Sequence, residues 1–96
     1  MKPHEKLRHL RIAARLGVRE LARRANLSAT FISRLESGHE KSLSPSALLR
    51  VCKTLKWEEV DAFKAFGVVH PDIIEAFKKA PGTMIVVARE VLKNNT

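Results

Sequence analysis

An all-α fold is predicted: five short helices closing one domain over residues 1–66, then a helical extension over residues 67–96. Three observations point there. Ninety-six residues amount to one small domain, which most readily closes an economical core with helices. Apolar residues recur at helical spacing, and nothing in residues 1–80 alternates apolar and polar side chains as a half-buried strand would. Gly17, Gly38 and Gly67, with prolines at 3, 45, 71 and 81, fall where short helices would start or stop.

The first segment, Pro3–Leu16, places Leu7, Leu10 and Ala14 on one stripe, with Lys6, Arg8, Arg11 and Arg15 outside it. The second, Val18–Ala25, carries Leu21, Ala22 and Ala25, and Asn26 ends it because asparagine tolerates a left-handed backbone. Ser28 is placed to cap a third helix, Ala29–Ser37, with Phe31, Ile32 and Leu35 apolar and Gly38 closing it. His39–Leu43 reads as a polar loop. Ser44 followed by Pro45 is a cap with proline at the first helical position. That fourth helix runs to Leu55, with Leu48, Leu49, Val51, Cys52 and Leu55 inward. Trp57 marks the turn into a fifth, Glu58–Phe66, with Val60, Phe63 and Phe66 three apart.

Pro71–Lys79 predicts a sixth helix with Ile73, Ile74 and Phe77 apolar and Asp72 favourable in its first turn. Pro81-Gly82 is expected to stop it. In Thr83–Asn94 the run Met84-Ile85-Val86-Val87 has strand propensity, but Met84, Val87, Ala88 and Val91 keep helical spacing, which favours helix.

The net charge is +8 and is one-sided. Residues 1–53 hold 12 basic and 4 acidic side chains, whereas residues 54–96 hold 6 of each. A one-sided basic field suits a polyanion, nucleic acid before an anionic membrane surface. No apolar run approaches the roughly 20 residues that span a bilayer, and no secretory leader opens the chain. One cysteine, Cys52, allows no internal disulfide and fits a reducing cytoplasm, where DNA binding would associate the protein with the nucleoid. No metal or other cofactor is expected. An enzyme is not expected either: no paired-carboxylate cleft, nucleophile–base set or glycine-rich phosphate loop is present.

The second and third segments carry the chemistry. They read Val18-Arg19-Glu20-Leu21-Ala22-Arg23-Arg24-Ala25-Asn26-Leu27-Ser28-Ala29-Thr30-Phe31-Ile32-Ser33-Arg34-Leu35-Glu36. Two helices cross near a right angle only if a small residue sits at their contact, the turn accepts positive φ, and the second helix has inward apolar residues. Ala22, Asn26 and the set Leu27, Ile32, Leu35 meet these conditions. Such a unit presents the face of its second helix to the DNA major groove.

On Leu10-Arg11, Glu20-Leu21-Ala22, Leu27-Ser28, Phe31 through Glu36, Gly38 and Ser44 through Leu55, residues 5–66 resemble the Cro/phage-repressor (Xre-like) helix-turn-helix family. The resemblance implies a five-helix repressor-like DNA-binding domain that binds a pseudo-palindromic operator as a homodimer. It implies further that Arg11 pairs with Glu36 to orient the recognition helix, although Arg11 could instead contact phosphate. The chain departs from the family at Gly17-Val18, where Ser-Gln is common, at Asn26, where glycine is usual, and in a slightly longer loop at His39–Leu43. Residues 67–96 lie outside the resemblance.

Ser28, Ala29, Thr30, Ser33 and Arg34 are the expected base-reading residues, since arginine can grip guanine bidentately and Thr or Ala methyls can meet a thymine methyl. Arg19, Arg23 and Lys41 are the expected phosphate contacts, drawn from a mixed basic set with Lys6, Arg8, Arg15 and Arg24. The tail has eleven Ile, Val, Leu, Met or Phe residues, and Ile73, Ile74, Phe77, Met84, Val87 and Val91 are the expected dimerisation residues. Cys52 reads as a buried thiol and His4, His9, His39 and His70 as surface residues. Phe63 and Phe66, like Phe77, read as core or interface. The expected function is a sequence-specific regulator of transcription, a repressor, acting on double-stranded DNA without membrane attachment. The alternative is an antitoxin-type or partner-controlled regulator whose C-terminal segment binds a second protein. A fold kept only for protein contact fits the polar set at 28, 30, 33 and 34 less well.

Overall fold

The computed structural model describes residues 1–94. Their secondary structure is all helical: α1 (Pro3–Ala13), α2 (Val18–Arg24), α3 (Ala29–Ser37), α4 (Pro45–Leu55), α5 (Glu59–Phe66), α6 (Pro71–Lys79) and α7 (Pro81–Asn94). Helix starts follow local chemistry. Ser28 Oγ accepts the Phe31 N–H at 3.0 Å and Ser44 Oγ accepts the Ala47 N–H at 3.1 Å, each satisfying an otherwise orphaned donor of the first turn. Proline occupies the first position of α1, α4, α6 and α7, where its missing N–H costs nothing.

The helix ends share one device. Arg15, Asn26, Lys56 and Gly67 all have positive φ, between 54° and 65°. The next residue then donates back to a carbonyl five positions earlier: Leu16 to Arg11, Leu27 to Ala22, Trp57 to Cys52 and Val68 to Phe63, at 2.8–3.2 Å. This is the Schellman closure, which satisfies an orphan carbonyl and turns an apolar residue back onto the helix. Leu16, Leu27, Trp57 and Val68 all pack on or in the core. Four helices therefore end by tucking in an apolar side chain.

The core gathers Leu7, Leu21, Ala22, Ala25, Ile32, Leu35, Ala47, Leu48, Val51, Cys52, Leu55, Trp57, Ala62 and Phe63, with Leu43 added from the loop. α3 lies against α1 and α2, α4 bridges α2 and α5, and α1 meets α5.

Several expectations are corrected. α1 ends at Ala13 rather than Leu16, because Arg15 takes the left-handed conformation; Ala14 is therefore exposed, not part of an inner stripe. Val60 is 71% exposed, and Ala62 fills the inward position of α5 instead. Leu43 is buried although it closes a loop read as polar. Pro81-Gly82 does not separate two helices: Pro81 opens α7, and Ala80 alone joins it to α6.

The last two helices stand apart from this core. α6 packs chiefly on α7, and no residue of either is buried. The radius of gyration is 15.3 Å over extents of 44 × 27 × 21 Å. A compact chain of this length would have about 12–13 Å. The excess fits a tail that projects from the core. Residues 83–94 are helix and not strand, and none of the described helices is long and apolar enough to cross a membrane.

Candidate nucleic-acid interface

α3 divides its side chains sharply. Ile32 and Leu35 are fully buried, while Thr30, Ser33, Arg34 and Ser37 are exposed. The outward set recurs at intervals of three and four, so it forms one stripe along the helix. Across from it stands the start of α2. A shallow open recess lies between them, lined by Val18, Arg19, Ala29, Thr30, Ser33, Arg34 and Ser37. It thus brings together four of the five expected base-reading residues and one expected phosphate contact. The fifth, Ser28, is exposed at the head of α3, but its Oγ is engaged as the cap.

The orientation of α3 is fixed by an ion pair that no local pattern contains. Arg11 Nε donates to Glu36 Oε2 at 2.7 Å and Arg11 Nη2 to Oε1 at 2.9 Å, a two-pronged contact 25 residues apart in sequence. Arg11 Nη1 also donates to the Leu16 carbonyl at 2.9 Å, which ties the turn after α1 into the same knot. The two side chains are only 12% and 7% exposed, so solvent screens the pair weakly. The hydrogen bond that Arg11 donates to Glu36 tightens Arg11's hold on its proton, against the opposing effect of burial. This engagement fills both edges of the Arg11 guanidinium within the chain.

A second strut escaped the sequence reading. Arg50 Nε, from α4, donates to the Ala25 carbonyl at 2.7 Å, and its Nη1 donates to Ser46 Oγ. It holds the end of α2, and so the turn into α3, against the rest of the domain. Only the Ser46 partner, one turn away, was visible in sequence.

The basic residues differ in availability. Glu20 accepts from Arg23 Nε at 3.1 Å and from Arg23 Nη2. It also accepts from Arg24 Nε at 2.8 Å. The Arg23 hydrogen bond, reinforced by Arg24, holds the Glu20 carboxyl down at about 2. The spacing of these residues, three and four apart, is a sequence signal that could have revealed the pairing. Arg19 and Arg34 make no side-chain hydrogen bond or ion pair among the described residues. Lys41 is exposed in the loop after α3. It shares a second recess with Lys2, His4, Ser37, Gly38 and Glu40, at the C-terminal end of α3. There Gly38 has φ +81°, a backbone conformation that favours glycine, and packs beside the His4 ring.

A family model described as a helix-turn-helix domain matches residues 5–62. The chain belongs to the helix-turn-helix domain family. The matched span contains both struts and every core residue but Phe63, and stops before the tail. Comparison with curated proteins and with solved structures gives no match. Within the helix-turn-helix unit α2 is the first helix, Asn26 at φ +54° the turn, and α3 the second helix.

One residue departs from expectation and another meets it. His70 is no simple surface residue: its ring lies 4.7 Å from Phe63, it contacts Glu59 at 2.8 Å, and Nδ1 accepts the Asp72 N–H as the cap of α6. Cys52 is buried as expected, and burial, with Glu59 and Glu58 nearby, pushes its thiol up to about 11.

Proposed function

We propose that this chain is a sequence-specific double-stranded DNA-binding regulator of transcription, a repressor, with residues 1–66 as the DNA-binding unit and α3 as its reading helix. The observation that carries this is the recess between α2 and α3. It collects the small, hydroxylated and cationic side chains that the buried face of α3 excludes, and both of its arginines lack a partner among the described residues. A guanidinium left open at the middle of a groove-sized helix face suits a guanine edge, and neighbouring hydroxyls and methyls suit the flanking bases. Arg19, beside α3 at the start of α2, and Lys41, in the loop after α3, fit phosphates flanking the reading face.

The reading includes a homodimer on a pseudo-palindromic operator, with residues 67–96 as the dimerisation segment. Ile73, Ile74, Phe77, Ile85, Val86, Val87, Val91 and Leu92 are each 41–66% exposed. The best-fitting occupant of this face is a second copy of the same segment. Its 3 acidic and 4 basic residues offer no charge handle to a strongly charged partner and little repulsion to a copy of itself. The 24 residues of α6, Ala80 and α7 match the roughly 20–30 residues per side of a standard interface. A two-fold axis through the tails would carry two copies of α3 to half-sites about 34 Å apart.

Enrichment of a random duplex pool on the purified protein tests this directly. The expected result is one consensus of two inverted half-sites, centred one helical turn apart. Recovery of no consensus would overturn sequence reading, and a lone half-site would overturn the dimer.

A further inference from the structure

Of the three arginines of α2, two share one charged partner and the third does not. Glu20 stands one turn before both Arg23 and Arg24 and accepts three N–H bonds from them. Isolated surface ion pairs are weak, but a carboxylate gripped two-pronged by one guanidinium and shared with a second belongs to the stronger, networked class. Arg19, four residues before Arg23 on the same side of α2, has no such partner among the described residues and lines the recess beside α3. A carboxylate and a phosphodiester offer guanidinium the same thing: two anionic oxygens able to take parallel N–H bonds. Glu20 therefore occupies the position on Arg23 that a DNA phosphate would need.

From this we infer that Glu20 is a positioning residue that decides which arginines of α2 are open to phosphate: Arg19 is, while Arg23 and Arg24 are withheld. The inference rests on the reading of α2 as a helix lying along the DNA backbone. Its consequence is a matter of specificity. Phosphate contacts supply essentially all of the sequence-independent affinity. Withholding two cations, and adding one anion beside them, lowers attachment to arbitrary DNA. Attachment then depends on α3 finding its bases. The effect persists at any pH at which the protein is folded near neutrality, because the Glu20 carboxyl is already ionised well below that range.

The test is Glu20→Gln, which keeps the size of the side chain and one acceptor oxygen but removes the charge. Binding of the full chain to random-sequence duplex and to an enriched operator is followed from 50 to 200 mM salt. On random duplex the slope of log affinity against log salt should become more negative by about 0.9 for each arginine released. The ratio of variant to wild-type affinity should then grow about 3-fold per arginine as salt falls across that range. The preference for operator over random duplex should shrink. In an Arg23→Gln/Arg24→Gln background, Glu20→Gln should leave the slope unchanged, since the released groups are gone. If wild type binds with a clear salt dependence and Glu20→Gln alters neither slope nor preference, this inference falls alone. An equal slope change in the arginine-free background would also overturn it, because Glu20 would then act by its own charge. A wild-type chain that binds no duplex at any salt would overturn the reading beneath it as well.

Discussion

Residues 1–66 and residues 71–94 are both helical and both rich in apolar side chains, yet only the first region buries them. The contrast separates two steps that sequence patterns tend to merge. Helix formation is local: α6 has a proline at its first position and a capping His70, and α7 opens on a proline. Burial needs other elements to pack against. In the first region, with the Gly67-Val68 step that closes it, four left-handed helix ends each turn an apolar residue inward, and five helices surround one core. In the second, α6 and α7 are joined by Ala80 alone and pack chiefly on each other. Helices of 9 and 14 residues are marginal by themselves in water. A pair of them with apolar faces open therefore calls for an association partner, whereas the first region is complete.

The comparison can be broken by paired substitutions. The largest effect is expected for Glu36→Ala, which strands the nearly buried Arg11 charge and should lower stability by about 3–5 kcal/mol. Leu35→Ala, at a fully buried site, should cost roughly 2–5 kcal/mol through lost transfer energy and a cavity. Phe77→Ala, at 48% exposure, should change the melting of the monomeric unit by no more than about 0.5 kcal/mol while weakening self-association. Chemical denaturation together with sedimentation distinguishes these cases. A Phe77→Ala cost as large as that at Leu35 would mean the tail is part of the core.

Within the reading face, Arg34→Ala should lose about 1–3 kcal/mol on the operator and relax preference at one base pair per half-site. Arg19→Ala should weaken all duplexes alike and reduce the salt slope by about one. Uniform loss for both, with the consensus unchanged, would remove α3 as the reader. An effect that vanishes at neutral pH concerns Cys52. Its thiol is held up at about 11 in the folded protein and titrates near 8.5 when unfolded. The unfolded chain thus sheds this proton first as pH rises. The resulting contribution to stability is intact below about 8.5 and is lost progressively toward 11. Native protein at pH 8 should resist thiol labelling except through unfolding, and a Cys52→Ala variant should lack the alkaline decline.

Much of this was legible in sequence where the cause is local. The bounds of α3 and the starts of α4 and α6 follow from Ser28, Gly38, Ser44, Pro45 and Pro71, each acting within one turn. What the sequence hid was either conformationally unmarked or distant. Arg15 and Lys56 take left-handed φ without being glycine or asparagine, so the end of α1 was misplaced. Val60 falls at a plausible spacing, but the packing of α5 on α1 and α4 turns Ala62 and Phe63 inward instead. The contact of Arg50 with Ala25 spans 25 residues and has no periodic signature. The Glu20 network is the reverse case: its partners stand three and four residues away on α2, a spacing that marks the pairing in the sequence itself.

The claim on which the account turns is that residues 1–66 fold and bind DNA alone and that the tail supplies the second copy. A chain cut at Gly67, compared with the full chain by sedimentation and by salt-titrated operator binding, tests it most directly. The account predicts a cooperatively folded monomer that still binds duplex with steep salt dependence, at an affinity reduced by orders of magnitude, beside a full chain that sediments as a dimer. A truncated chain that remains dimeric, or a full chain that is monomeric at tens of micromolar, would contradict it.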